Sequence, residues 1–290
     1  MFGKEEIWHL CTGENFNIIF PDSDTFKAGV SIFGMCALLY PEMKILTFQF
    51  MSNHIHAAVE GKKQSVIGFF KTFEKHFARY LSYIGRPGTL SGIQMKLFRI
   101  QSDENLRNVI AYINRNSLMA IPDFTPFTYP WGANRFLFNP EIKAMHLNAG
   151  RDMTIRVREQ LAHSRKFDNI QGLKEVGGYV SPLCFCDVEE AEKCFADARQ
   201  YFSRISKNVE NFRDIAQTIG ETLYYADDDL FYIATRFAKK EFGNDRLVSL
   251  MPNEKLSLAK KLHYEYNAGI KQLQRLLKID GSVLAQLFMH

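Results

Sequence analysis

No stretch of the 290-residue sequence is long and apolar enough to read as a membrane span, and none has the pattern of a secretory leader. A membrane protein and a disulfide-stapled secreted domain are therefore both unexpected. Cysteine is scarce: Cys11, Cys36, Cys184, Cys186 and Cys194 form an odd set without a CxxC pair. That excludes the usual zinc-ribbon spacing and leaves a reducing, cytoplasmic location as the expectation. The spacing in Cys184-Phe185-Cys186 is narrower than zinc sites ordinarily use, so these thiols read as buried or idle. Internal repeats, low-complexity tracts and flexible-linker compositions are also missing, which excludes a solenoid or a loosely tethered array. A large excess of one charge is missing too. The net charge of +4 is too mild for a histone-like binder, yet it permits nucleic acid if the positive residues cluster.

What is present is enough apolar sequence for two modules, since 290 residues is long for one domain. Aromatic residues make up 13% of the chain and are weighted toward Phe, which suits well-filled cores and also offers faces for unpaired bases. Charge is unevenly spread. Acids outnumber bases from about Glu141 to Thr235, whereas the stretch from Arg236 onward carries Lys239, Lys240, Lys260, Lys261, Lys271 and Arg275 among others. Three segments follow: 1–140, an expected α+β domain; 141–235, a helical region of unassigned role; and 236–290, a basic end.

Within the first segment, Ile7 to about Phe16 reads as a strand and Lys27 to Leu39 as a helix stopped before Pro41. The apolar run Ile45 to Glu60 reads as one long strand, and Gln94 to Ile100 as another. Val66, Phe69, Phe70, Phe73, Phe77, Tyr80 and Leu81 recur at helical spacing, with Lys71, Lys75 and Arg79 on another face of the same helix. Such a ladder can track a phosphate backbone, or it can simply be solvated. Ser102 and Asp103 open a further helix with Leu106, Val109, Ile110 and Ile113 as its core stripe, placing Tyr112 and Asn116 on a neighbouring edge. Pro122, Pro126 and Pro130 then force an ordered wrapping segment. Beyond it, Thr154 to Ser164, Asp187 to Ser206, Val209 to Tyr225 and Asp229 to Phe242 look helical. The basic end reads helix, Gly-containing turn, helix, turn, helix, which is the grammar of a helix-turn-helix unit, although any small trihelical cap has the same pattern.

The chemistry concentrates at Asn53-His54-Ile55-His56. In an extended chain alternate side chains share a face, so His54 and His56 point together while Ile55 points into a core. Two adjacent imidazoles can hold one divalent cation, and satisfied, partly buried histidines give the same pattern. Tyr112 and Asn116, four apart on a helix, lie on one side of it. Tyr112 can equally be an ordinary packed tyrosine. His9 and His76 read as structural or surface residues.

Three ordered motifs in the first half of the chain resemble the HUH (histidine, hydrophobe, histidine) nucleases, in particular the single-tyrosine transposases of the REP-associated branch. Phe50-Met51-Ser52-Asn53-His54-Ile55-His56 is similar to their MPNHxH signature, with Ser52 in place of Pro. Tyr112-Ile113-Asn114-Arg115-Asn116-Ser117-Leu118-Met119-Ala120 is similar to YIxxNPVRA, with Ser117 in place of Pro, and Tyr129-Pro130-Trp131 to the YPWSS that follows. The resemblance implies a ferredoxin-like α+β domain with a mainly antiparallel sheet, the histidines on a middle strand and the Tyr112 helix packed against it. It implies Mg²⁺ or Mn²⁺ on His54, His56 and Asn116, with Tyr112 as nucleophile forming a covalent 5′-phosphotyrosine on hairpin-bearing single-stranded DNA. DNA contacts would fall to Lys71, Lys75 and Arg79 and, at the basic end, to Lys271 and Arg275. A bacterial, nucleoid-associated protein is expected, with a homodimer left open. Two rivals use the same residues: a domesticated DNA-binding regulator, and a metal hydrolase that activates water with Tyr112 as a bystander.

Overall fold

The apolar run from Ile45 to Glu60 is a hairpin rather than the single strand its composition suggests. Its arms, Lys44–Phe50 and Ile55–Glu60, pair antiparallel with Phe50 opposite Ile55. The cause is local, because Ser and Asn favour turns over strand continuation. The Met51 N–H closes the turn on the His54 carbonyl at 2.8 Å, and the Ser52 carbonyl accepts the N–H groups of Ile19 and Phe20 at 2.8 and 2.9 Å. The histidine pair therefore occupies the exit of a turn and the first rungs after it.

A computed structural model describes residues 6–12, 18–120, 127–207 and 227–288. The helix expected over Val209 to Tyr225 lies outside them, as does part of the proline-rich segment. The chain divides into two compact units, Met1–Gly220 and Glu221–His290.

The first unit is α+β and begins β1 (Ile7–Thr12), α1 (Ser23–Ala37), β2 (Lys44–Phe50), β3 (Ile55–Glu60), α2 (Lys63–Tyr83), β4 (Met95–Ile100) and α3 (Asp103–Ala120). The four strands form one antiparallel sheet in the order β2-β3-β1-β4. Asp22 caps α1 by accepting the Thr25 N–H at 2.8 Å, and that bond holds its carboxyl below the usual carboxylate range. One face of the sheet is packed by α1 and α2: Phe33 meets Phe48, Phe50, Phe69 and Phe73 at ring separations of 5.7, 5.3, 4.9 and 5.4 Å. Burying each such ring contributes on the order of 1.5–3 kcal/mol, so this aromatic cluster is a main source of the unit's cohesion. The opposite face is covered by α3.

After α3 the first unit continues with α4 (Pro140–Ala149), β5 (Arg151–Asp152), α5 (Ile155–Ala162), β6 (Lys174–Val176), β7 (Tyr179–Val180), α6 (Val188–Lys193) and α7 (Ala198–Lys207). Two expectations change here. The region is not purely helical, because β5, β6 and β7 form a small antiparallel sheet whose strands of two or three residues are too short to leave a periodic pattern. The single helix expected over Asp187 to Ser206 is two, because Asp197 caps a new start by accepting the Gln200 N–H at 2.7 Å. These elements pack on the α/β core, with β7 against α1, α6 against β2 and α7 against α3.

The second unit contains α8 (Asp227–Phe242), α9 (Pro252–Tyr266), α10 (Ile270–Leu277) and α11 (Gly281–Phe288). Asn267 and Lys278 end α9 and α10 in the left-handed region, at φ 52° and 54°. Leu258, Leu262, Leu273, Leu277 and Leu284 form the core between the last three helices. Lys271 and Arg275, one turn apart, lie exposed on α10.

Candidate metal and tyrosine site

Sheet register assembles the site. Gln49, His56, Cys11 and Lys96 stand opposite one another across all four strands, and Thr47, Ala58, His9 and Phe98 form the next row on the same face. Paired residues of antiparallel strands share a face. Ile55 and Ala57 therefore point the other way, toward α1 and α2, and both are buried. On the β3 side His9 faces the small Ala58, so its ring has room to lean diagonally toward His56.

His56, fully buried on a middle strand, is the junction. Its ring centroid lies 4.9 Å from that of His54, 5.3 Å from that of His9 and 5.5 Å from that of Tyr112. His54 and Tyr112 meet it edge-on, at 86° and 85°, whereas His9 is stacked at 26°. His9 Nε2 and His56 Nδ1 are 3.1 Å apart. Tyr112 also stands 6.0 Å from His9 and is only 2% exposed. His54 is the half-exposed member of the group, and its Nδ1 lies 2.7 Å from Asn53 Oδ1.

The helix that carries Tyr112 is held in place by a buried polar network. The Thr47 hydroxyl donates to Asn114 Oδ1 at 2.6 Å, and Asn114 Nδ2 donates to the Tyr201 hydroxyl at 2.8 Å. Tyr201 in turn donates to Asn134 Oδ1, and Asn134 Nδ2 donates back to the Asn114 carbonyl at 3.3 Å. Burial pushes the Tyr201 phenol well above its ordinary pKa, so it stays a neutral donor, while the bond from Asn114 pulls weakly the other way. Through these contacts β2, α3, α7 and the turn at Asn134 are fixed to one another. Gly132 supports the same region: its backbone bridges Gln49, and a Cβ there would come within 2.9 Å of the Phe48 carbonyl oxygen.

The sequence-derived residues fall in several places. His54, His56 and Tyr112 are brought together. Asn116 lies on α3 one turn beyond Tyr112, and its side chain falls outside the described residues. Lys71, Lys75 and Arg79 are exposed on α2, which packs on the far face of the sheet, so the sheet itself separates them from the histidines. His76 is buried against Phe167 on α2, and burial lowers its pKa. His9, expected to be a structural or surface residue, is buried; with Cys11 and His56 it forms a group whose donor atoms lie within 4.8 Å of one another, an arrangement that could in principle hold a metal ion. Lys96 ends the same row, opposite Cys11 of β1. Two signals bear on these omissions: His9 and Cys11 stand two apart on β1 and so share a face, and Asn114 interrupts the apolar stripe of α3.

All five cysteines are unbridged. Among the described residues no helix is long and apolar enough to cross a membrane. No protein-family model, curated protein or solved structure matches the chain.

Proposed function

We propose that this chain is a metal-assisted nuclease and strand-transferase for single-stranded DNA, with Tyr112 as nucleophile. The observation that carries the reading is the Tyr112 ring set edge-on against His56 at 5.5 Å, with His54 at 4.9 Å on the same imidazole. The element order β-α-β-β-α-β with sheet order β2-β3-β1-β4 supports it, because that is the split βαβ arrangement of ferredoxin-like domains. A free phenol has a pKa of about 10 and is a weak nucleophile at neutral pH. A divalent ion bound beside it would withdraw charge from the scissile phosphate and stabilise the charge that develops there.

His54 and His56 would hold that ion, with Asn116 as the third donor that the family resemblance implies. Imidazole donors suit Mn²⁺ better than Mg²⁺, which prefers an all-oxygen shell. His54, the half-exposed histidine, is the side from which a phosphate approaches. Attack forms a Tyr112 Oη–P bond and breaks the P–O3′ bond; the phenol loses its proton and the departing oxygen gains one. The phosphotyrosine keeps the bond energy for rejoining, so no nucleotide cofactor is required. Lys96 contacts the bound strand, and the α9-α10-α11 unit, read as a helix-turn-helix, anchors the DNA through Lys271 and Arg275.

The near-complete burial of Tyr112 favours a second reading, in which the ring is packing and the histidines activate water. One experiment separates the two. The full-length protein is incubated with Mn²⁺ and labelled hairpin-bearing single-stranded DNA, then denatured. A protein–DNA band that Tyr112→Phe abolishes is expected; cleavage without a band, or a band that survives in the variant, removes Tyr112 as nucleophile.

A further inference from the structure

The donor set around His56 goes beyond a pair of imidazoles, because Cys11 stands directly opposite it on β1 and His9 leans in from the next rung. We propose that His9, Cys11 and His56 hold a thiophilic, zinc-class divalent ion. This donor set shares only His56 with the His54, His56 and Asn116 set proposed above and takes a different class of ion; it rests on that reading only for what the ion would act on.

The geometry is close to what such an ion needs. Two imidazole nitrogens each about 2.0–2.1 Å from a tetrahedral zinc lie roughly 3.3 Å apart. His9 Nε2 and His56 Nδ1 are 3.1 Å apart. The three donor atoms already lie within 4.8 Å of one another, so the thiol closes onto the ion by a side-chain adjustment of roughly an ångström, given a Zn–S bond of about 2.3 Å. Donor chemistry decides the class. A thiolate selects Zn²⁺ over Mg²⁺ or Mn²⁺, and imidazole suits zinc as well. Three protein donors leave one tetrahedral position for a water or a phosphate oxygen, the composition of a catalytic rather than a structural zinc site. On binding, the Cys11 S–H proton is released to solvent and the sulfur carries the charge that partly neutralises the ion. Rigidity follows from placement: His9 and Cys11 are on β1 and His56 is on β3, neighbouring strands at the centre of the sheet.

The test uses the full-length protein, stripped with a chelator and titrated with Co²⁺, whose spectrum reports both geometry and sulfur ligation. One tightly bound Co²⁺ per chain is expected, with the visible bands of a tetrahedral ion and a near-ultraviolet thiolate-to-metal band. Zn²⁺ should displace it and a large excess of Mg²⁺ should not. Cys11→Ser should lose the thiolate band, Cys194→Ser should keep it, and His9→Gln should weaken uptake by more than about tenfold. If Cys11→Ser does not fold, as circular dichroism would reveal, His9→Gln and the wild-type spectrum decide the matter. No uptake, an octahedral spectrum without sulfur ligation, or a thiolate band indifferent to His9→Gln or Cys11→Ser overturns the proposal. No DNA takes part, so the two readings fail separately. A Mn²⁺-dependent adduct without a cobalt–thiolate band keeps the nuclease and removes the zinc-class ion; the band without an adduct does the reverse.

Discussion

Asn114 carries more of the architecture than its position in the sequence suggests. Its side chain accepts from Thr47 and donates to Tyr201, and all three lie in the interior. Asn114→Ala removes the acceptor of the buried Thr47 hydroxyl and one of the two partners of the Tyr201 hydroxyl, so a loss of about 2–4 kcal/mol in urea unfolding is expected. A loss below about 0.5 kcal/mol would show that the network contributes little. His146 offers a test by pH. Burial is the main cause that lowers its pKa to about 4, with the charge of Arg135 acting in the same direction. The unfolded chain, with a histidine pKa of about 6.5, therefore binds the extra proton first as pH falls. Its contribution is fully present above about pH 6.5 and is lost on descent toward pH 4, on the order of 2–3 kcal/mol. In His146→Gln the slope of stability against pH across that window should flatten; an unchanged slope would assign the acid sensitivity to other groups.

At the scale of elements, the two faces of the sheet do different work. One is an aromatic core, and Phe33, in contact with four other rings of β2 and α2, is its centre. Phe33→Ala should cost about 3–5 kcal/mol in chemical denaturation, because rigid neighbours cannot collapse into the space. The other face carries the polar row that ends in Lys96. Lys96→Ala should lower the slope of log affinity for single-stranded DNA against log salt by about 0.7, whereas Lys71→Ala, across the sheet, should leave it unchanged. The reverse result would place the DNA on α2. Much of this was readable beforehand: α1, α2, β4 and α3 lie close to where apolar periodicity and capping residues put them, and the HxH spacing sets His54 beside His56. The hairpin was not legible, because Ile45 to Glu60 is apolar enough to mask the turn at Ser52 and Asn53. Nor was the part played by His9 and Cys11, since only strand register, which no local pattern encodes, sets them against His56.

Across the whole molecule, charge and chemistry occupy separate places in the sequence: the candidate site lies in the first unit and the basic helices in the second. Lys271 and Arg275 project from α10 while Leu273 and Leu277 of the same helix are buried. The double variant Lys271→Ala, Arg275→Ala should therefore leave folding intact and lower the salt slope for duplex DNA by about 1.8, at roughly 0.9 for each phosphate that is no longer neutralised. An unchanged slope in a normally folded variant would leave this unit without a part in DNA binding.

The sheet's two rims are guarded differently. Along β2, residues 131–133 and 186–187 lie against the outer edge and occupy its backbone groups: Phe50 N–H donates to the Trp131 carbonyl, Ala133 N–H to the Phe48 carbonyl and Asp187 N–H to the Ile45 carbonyl, at 2.9, 3.0 and 2.7 Å. Among the described residues β4 pairs with β1 alone, and Lys96 and Arg99 punctuate it. Among the described residues, then, an extended peptide or another copy of the chain that lengthened this sheet would add beside β4 rather than beside β2.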